Sequence, residues 1–454
     1  MNTTYDDTLD SLPMTRTRYK AVVVAGTSWL FDYMNLLSIS LTLTVMIAIF
    51  HLTTGRITLV LDMEYVGMLL GNIVLGRLAD TLGRRNTLMI TLGLLAIGAF
   101  GSAASTDYII LGLTRFIAGL GIGSDIVLAS VYISEYVGYK NRGKWVSFGA
   151  AMGTVGYILV AAFSLLLIPH YGFRPVFIIV GVAALIGIGL RVIMPESPRW
   201  LVQHGQKDKA DDILKTIQSE ASVKIGRKVE NVSLENWPEN KSSLGQSLSI
   251  LLNSEYRRRT GVLWVDWFVY IFAFYAFSSW IPVFLIEFFH ITITTTLLYS
   301  FLIYVAYLPG YIAGGFLADR IGRKITTVIG FIFVILFGLV FGFSAGVTAR
   351  VLLGGMGVGF FLEMLGSTLN IYSAELYPTS TRGIGAGIAQ AWSRFGAVLS
   401  APFVLLLAVG GLTHVVVGIG IVIAVAIIVT AAFGIESKKQ ILEKLSPELT
   451  ETNG

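Results

Sequence analysis

Gly76-Arg-Leu-Ala-Asp80-Thr-Leu-Gly83-Arg84-Arg85 returns about 239 residues later as Gly315-Phe-Leu-Ala-Asp319-Arg-Ile-Gly322-Arg323-Lys324. A second pair repeats at an offset of 240: Glu135 with Arg142-Gly143, and Glu375 with Arg382-Gly383. Two independent matches at one offset are hard to obtain by chance. They predict duplicated halves with related folds, the architecture in which a substrate binds near the midplane between two bundles.

The chain around these motifs is built for lipid. Of its 454 residues 54% are hydrophobic and only 13% charged, too little polar surface to cover a water-soluble globule. About twelve apolar stretches are long enough to cross roughly 30 Å of hydrocarbon as helices, which takes around 20 residues each. Their predicted spans are 20–50, 58–78, 86–105, 107–136, 143–168, 174–194, 259–288, 293–318, 325–344, 346–376, 383–410 and 412–434. The first follows Arg16, Arg18 and Lys20 and is too long, with no small-residue cleavage site, for a removed signal peptide. The expected fold is an all-α membrane protein: a tail 1–19, a six-helix bundle 20–194, a linker 195–258, a second six-helix bundle 259–434 and a tail 435–454. In the linker, Ala210, Ile213, Leu214 and Ile217 recur at helical spacing, which predicts an amphipathic helix.

Arg84, Arg85, Lys140, Arg142, Lys144, Arg320, Arg323, Lys324 and Arg382 all fall on one side, with both termini, whereas Arg56 and Arg174 are the main cations opposite. The positive-inside rule makes that side cytoplasmic, in a multi-pass protein of the cell membrane. A net charge of +5 spread over short loops is the membrane pattern, and nucleic acid is set aside. Cysteine is absent, and His51, His170, His204, His290 and His414 have no metal-ligand spacing. No metal, cofactor or enzymatic chemistry is therefore expected; the partners expected are a small-molecule substrate, protons and the lipid bilayer, with the chain a monomer.

The Gly-x-Leu-Ala-Asp-x-x-Gly-Arg-Arg/Lys loop resembles the signature loop of the major facilitator superfamily, a resemblance that covers the whole chain. Within it, Pro195-Glu196-Ser197-Pro198-Arg199-Trp200-Leu201, Glu375-Leu-Tyr-Pro378-Thr-Ser-Thr-Arg382-Gly383 and the tail from Ile435-Glu436-Ser437-Lys438 resemble the sugar-porter-related branch. The paired glutamine of helix 7 and the glutamine of helix 5 that serve hexose porters are missing. Instead, Leu263-Trp264-Val-Asp-Trp-Phe268, Phe274-Tyr275-Ala-Phe-Ser-Ser-Trp280-Ile-Pro282 and Ser393-Arg394-Phe395-Gly396-Ala397 are similar to transporters of nicotinate, benzoate and other organic ions. The resemblance implies a secondary transporter working by alternating access.

Ionisable residues at membrane depth are functional candidates by default, because burying one costs several kcal/mol unless it is paired or neutralised. Asp32 is followed near helical spacing by Asn35, Ser38 and Thr42, giving helix 1 a polar face. Where the organic-ion branch has two aspartates three apart, Asn35 replaces the second and reads as a substrate contact. Asp125 follows Gly119-Leu-Gly121-Ile-Gly123-Ser124, where glycines permit close helix contact, and resembles a helix 4 motif of phosphate:proton symporters. Glu363 shares a stripe with Ser367 and Asn370. Asp32, Asp125 and Glu363 are the proton-coupling candidates; the alternative for each is packing alone. Arg115 lies ten residues before Asp125, about 15 Å along the axis, and so cannot pair with it inside the helix.

Gln390 and Arg394 share a face of helix 11 one turn apart. Arg394 coincides with the arginine that the organic-anion resemblance places on the substrate's negative charge, and a guanidinium suits a carboxylate. Its alternative is a structural pair with Glu363 or Asp32. Phe274 and Tyr275 are the aromatic candidates for the substrate. The resemblance also implies a cytoplasmic gate of Asp80, Arg84, Glu135, Arg142, Asp319, Arg323, Glu375 and Arg382. With no Gly-x-x-x-x-Gly-Lys-Ser/Thr loop, proton symport of a small organic acid leads over ATP-driven pumping. Carriers of sugars or polyols, organic cations or phosphate, and a transporter-like sensor, remain as alternatives.

Overall fold

In the computed structural model, residues 9–138, 142–226, 249–254, 256–344, 346–377 and 382–438 are described. Among them, twelve helices are long and apolar enough to cross a membrane, and none of the described residues forms a strand. Helices 1 to 6 are Arg16–Ile49, Thr54–Leu82, Arg84–Ala104, Tyr108–Tyr136, Arg142–Tyr171 and Arg174–Val192; helices 7 to 12 are Arg257–Ser278, Ile293–Ile321, Arg323–Phe343, Val347–Ser373, Gly385–Ala408 and Leu412–Phe433. Helices satisfy every backbone group internally, which hydrocarbon demands. All twelve predicted spans are present.

Differences lie at ends and breaks. Helix 1 begins at Arg16, four residues earlier than expected, because Arg18 is buried and donates to the carbonyls of Leu12, Pro13 and Tyr136. The stretch 259–288 is two helices, Arg257–Ser278 and Ile281–Glu287, since Pro282 at the start of the second has no N–H to continue the first. Helix 8 is interrupted at Ala306, where the ring of Pro309 conflicts with the carbonyl four residues before it.

The linker helix spans Lys207–Ile225 and buries Ala210, Leu214 and Ile217, with Ile213 partly buried. Trp200 and Leu201, in the short helix Pro198–Gln203, pack on Ala210. Thr17 donates both its backbone N–H and its hydroxyl to Glu220 at 2.9 Å, which ties this helix to the start of helix 1. Those bonds overcome the effect of partial burial and hold the Glu220 carboxyl below its ordinary range.

The duplication extends to side-chain detail. Arg84 pairs with Asp80 at 3.2 Å and Glu135 at 3.6 Å; Arg323 pairs with Asp319 at 2.9 Å and Glu375 at 2.7 Å. Tyr132 donates to the Pro195 carbonyl and Tyr372 to that of Ile435, 240 positions on. Glu196 accepts the N–H of Arg84, and Glu436 that of Arg323. Both loops turn at a glycine with positive φ, 94° at Gly83 and 111° at Gly322, a conformation that L side chains rarely adopt.

Contacts divide the chain into two compact units that do not follow the duplication: Met1–Leu36, Val66–Tyr157 and Phe177–Glu239 in one, Leu37–Tyr65, Ile158–Val176 and Asn240–Gly454 in the other. The second unit therefore includes the far end of helix 1 and the start of helix 2. Ser40 donates to the carbonyl of Ser279 at 2.7 Å, and Tyr65 and Ser279 share a 2.7 Å hydroxyl bond, so the break in helix 7 supplies the polar groups that hold these ends.

Candidate transport site

In the first unit, Asp32 on helix 1 and Asp125 on helix 4 are fully buried. Thr91 of helix 3 donates to Asp125 at 2.7 Å, and Ser28 and Asp32 lie within hydrogen-bonding reach of the same carboxyl. The glycines before Asp125 make this approach possible: a Cβ on Gly121 would stand 2.3 Å from the Thr91 carbonyl, and one on Gly123 2.0 Å from that of Met68. Two of the three proton-coupling candidates, Asp32 and Asp125, thus lie together, and Glu363 lies in the other unit.

Arg191, near the end of helix 6, completes the cluster and was not singled out in the sequence. It is fully buried, donates to the Val24 carbonyl and the Ser28 hydroxyl, and acts electrostatically on both Asp125 and Asp32. One cation therefore faces two carboxyl groups in a site closed to water. The available signal was an arginine inside an apolar run, but its place four residues before Pro195 reads equally well as a loop cation.

Asn35, read as a substrate contact, accepts from Arg115 at 3.0 Å. Arg115 is fully buried, also donates to Ser102 at 2.9 Å and the Gly98 carbonyl at 3.1 Å, and sits over the Phe177 ring at 4.8 Å. This arginine is a fixed brace between helices 1, 3, 4 and 6.

In the second unit, Glu363 of helix 10 and Arg394 of helix 11 are both buried, and among the described residues they form no ion pair with each other. The Nε of Arg394 is enclosed without a hydrogen-bond partner. Gln390 donates to Asn370 at 3.3 Å, and Asn370 to the Gly366 carbonyl at 2.9 Å. Phe274 and Tyr275 are buried in an aromatic cluster, with Phe274 5.9 Å from Tyr307 and Tyr275 4.7 Å from Tyr65 between ring centres. Asp266 of helix 7 is a buried carboxyl that sequence reading quoted without a role; Thr430 of helix 12 donates to it. Asp62 and Glu64, in the first half of helix 2 and inside its predicted span, were not singled out.

Of the gating set, Asp80 and Asp319 have side chains 75% and 72% exposed and pair with the arginines four residues on. Glu135 and Glu375 take the inner side of those arginines, and Ser437 donates to Glu375 at 2.6 Å. Arg142 opens helix 5, whereas the side chain of Arg382 lies outside the described residues.

Comparison with known proteins agrees along the whole chain. The profile of the family described as Sugar (and other) transporter matches residues 14–449. The niacin transporter NiaP of Acinetobacter baylyi is 27% identical over 96% of this chain and 98% of its own. The cis,cis-muconate transport protein of the same organism is 25% identical over 89% of this chain and 90% of its own, and organic cation/carnitine transporter 7 of Arabidopsis thaliana is 26% identical over 87% of each. Among solved structures, the partially occluded inward-open xylose transporter XylE of E. coli superposes with a TM-score of 0.75 at 20% identity, over 93% of this chain and 99% of that one.

Proposed function

Because the chain belongs to the sugar (and other) transporter family, a branch of the major facilitator superfamily, we propose that it is a proton-coupled symporter of a small organic acid. The observation that carries the coupling is the Asp32–Asp125 pair facing Arg191. Two carboxyl groups in one dry site are set up to hold a proton between them, since two like charges side by side oppose each other. When that proton leaves, the new negative charge strengthens the pull of Arg191, which is already anchored on helix 1. Proton exchange thereby changes how tightly helices 1, 4 and 6 hold together, the kind of packing change on which alternating access depends.

The substrate's charge is argued from Arg394. A buried guanidinium that pairs with no described carboxylate of its own unit is a binding group for an anion, and its planar fork suits a carboxylate. Niacin and muconate, which two relatives are named for, are both unsaturated carboxylic acids. The motif-rich face with both termini is placed in the cytoplasm, and the protein in the cell membrane.

The test is uptake into proteoliposomes of the purified protein, with radiolabelled nicotinate, benzoate and muconate, and with and without an inward proton gradient. Expected are gradient-driven uptake of at least one acid, its loss in Asp125→Asn, and loss of binding in Arg394→Ala. Uptake indifferent to the gradient sinks the coupling. A sugar, polyol or organic cation carried equally well by Arg394→Ala sinks the organic-acid reading.

A further inference from the structure

Pro282 has no N–H to give the Ser278 carbonyl four residues before it, so the break in helix 7 leaves a buried acceptor to be satisfied from elsewhere. Tyr304 of helix 8 donates to that carbonyl at 2.9 Å. Ser40 of helix 1 reaches it at 3.2 Å and the Ser279 carbonyl at 2.7 Å. Tyr65 of helix 2 meets the Ser279 hydroxyl at 2.7 Å, and Ser40 lies within hydrogen-bonding reach of Tyr304. Ser40 and Ser279 are 239 positions apart, and so are Tyr65 and Tyr304. Each half's tyrosine thus takes the other half's serine, in a reciprocal network that is buried and lies wholly in the second compact unit. It sits nearer the face opposite the Gly83 and Gly322 loops, where a carrier that alternates its access must part these helices.

The two arms of the network differ in one neighbour. One turn before Tyr65 on helix 2 stands Asp62, whereas the matching position before Tyr304 is Phe301. Asp62 is partly buried, one of its carboxyl oxygens is enclosed without a hydrogen-bond partner, and among the described residues it has no ion-pair partner. A helical side chain covers the turn N-terminal to its own Cα, and for Tyr65 that is the turn of Asp62. The other titratable groups acting on Tyr65 are Tyr275 of helix 7, with ring centres 4.7 Å apart, and Glu64 of helix 2, which at two residues from Asp62 points another way. Arg56, nearer the start of helix 2, donates to the His51 carbonyl. Tyr307 of helix 8 completes the set on the Ser278 hydroxyl.

We propose that Asp62 is the proton-responsive switch of this gate, competing with Ser279 for the Tyr65 hydroxyl. An ionised Asp62 is the stronger acceptor, because a hydrogen bond to a charged oxygen is roughly twice as strong as a neutral one. It draws Tyr65 to itself and releases these ends of helices 1, 2, 7 and 8. A protonated Asp62 leaves Tyr65 on Ser279 and keeps the face closed, so capture of a proton from that side shuts the side behind it. The Tyr304–Ser40 arm, with Phe301 as its neighbour, has no such competitor and holds at every pH. The switch requires alternating access alone; neither an acid substrate nor coupled uptake enters it.

Double electron–electron resonance on the full-length protein, purified in detergent without substrate, reads the gate directly. The chain has no cysteine of its own, so Thr54→Cys on helix 2 and Thr294→Cys on helix 8, both exposed, carry one spin label each. From about pH 9 down to about pH 4 the label distances are expected to shift from a longer to a shorter population, their ratio changing at least about tenfold. Asp62→Asn, which does not ionise, is expected to hold the shorter distance throughout, and Asp62→Glu to retain the shift. Tyr65→Phe is expected to abolish the pH dependence, and Tyr304→Phe to raise the longer population while keeping it. Distances indifferent to pH, a shift of the opposite sign, or a shift that survives in Asp62→Asn overturns the proposal. The titration of the labelled parent needs no substitution in the network, so its result stands even where a variant fails to fold. A gate that follows pH in a protein without gradient-driven uptake would sink the symport reading and leave the switch standing.

Discussion

Thr430 on helix 12 donates its hydroxyl to Asp266 on helix 7 at 2.5 Å, and the other oxygen of that carboxyl is enclosed without a partner. At the offset of 240 that relates Pro195 to Ile435, Arg191 corresponds to Ala431, the chain neighbour of Thr430. The first half thus closes its terminal helix on helix 1 with a cation, and the second closes its own on helix 7 with a neutral hydroxyl. Helix 7 supplies the charge-bearing group there instead. Thr430→Val leaves Asp266 with no hydrogen bond and is expected to cost about 1–3 kcal/mol. Thermal unfolding in detergent measures it, and a double-mutant cycle with Asp266→Asn should return a coupling above about 0.5 kcal/mol. Simple additivity would mean the contact does not stabilise the fold.

Arg115 makes hydrogen bonds in different directions, to helix 1 through Asn35 and to helix 3 through Ser102 and Gly98, with Phe177 under the guanidinium. A lysine ammonium cannot reproduce that planar fork. Arg115→Lys is therefore expected to lower stability by at least about 2 kcal/mol, the scale of one lost charge-assisted bond. Asn35→Asp should fold normally, because Arg115 already donates to the oxygen that both side chains share. A melting temperature of Arg115→Lys equal to the parent's would refute the bracing role.

The fold was legible because its signals are collective. Twelve apolar runs and two motifs at one offset survive errors of several residues at each boundary. Asp32 and Asp125 were legible as anomalies, charges in the middle of apolar runs. Arg191 was not, since an arginine near a helix end before Pro195 has an ordinary explanation in the positive-inside pattern. Asp266 could be seen, but its partner could not: Thr430 is a common hydroxyl 164 residues away, and nothing local marks it. Asn35 shows the reverse difficulty, for a polar face on helix 1 does not say whether it meets a ligand or another helix. The break in helix 7 had one signal, Pro282, hidden in an aromatic run that otherwise reads as continuous.

Gly71 and Gly310, 239 positions apart, bring helix 2 against helix 4 and helix 8 against helix 10. A Cβ at either would stand 2.1 Å from a carbonyl oxygen, that of Leu120 or of Phe360. Neither obstacle is a flexible side chain, so the helices themselves must separate. Gly71→Ala and Gly310→Ala are each expected to destabilise by about 1–3 kcal/mol or more. Gly93→Ala is the control: apart from its own helix backbone, no described atom lies within 4 Å of the added Cβ, and alanine favours the helix by up to about 1 kcal/mol. Equal melting temperatures for all three would contradict the close approach.

Glu196 gives the stability a pH dependence whose sign can be worked out. Burial pushes its carboxyl above the ordinary 4.5, and the N–H groups of Ser197, Arg85 and Arg84, at 2.8, 3.1 and 2.9 Å, only partly oppose this. The folded state therefore holds this proton more tightly than the unfolded chain does. By linkage, stability falls with pH wherever the folded state binds more protons. The contribution of Glu196 is full below 4.5, is lost as pH rises through the raised value, and is constant above it. Glu196→Gln cannot titrate and keeps an oxygen to accept the backbone donors. Melting curves of both proteins from pH 4 to neutrality should show the parent's advantage over the variant shrinking as pH rises. An advantage that grows with pH would mean the three N–H groups outweigh burial, and that the loop after helix 6 is held by a carboxylate rather than by the neutral acid.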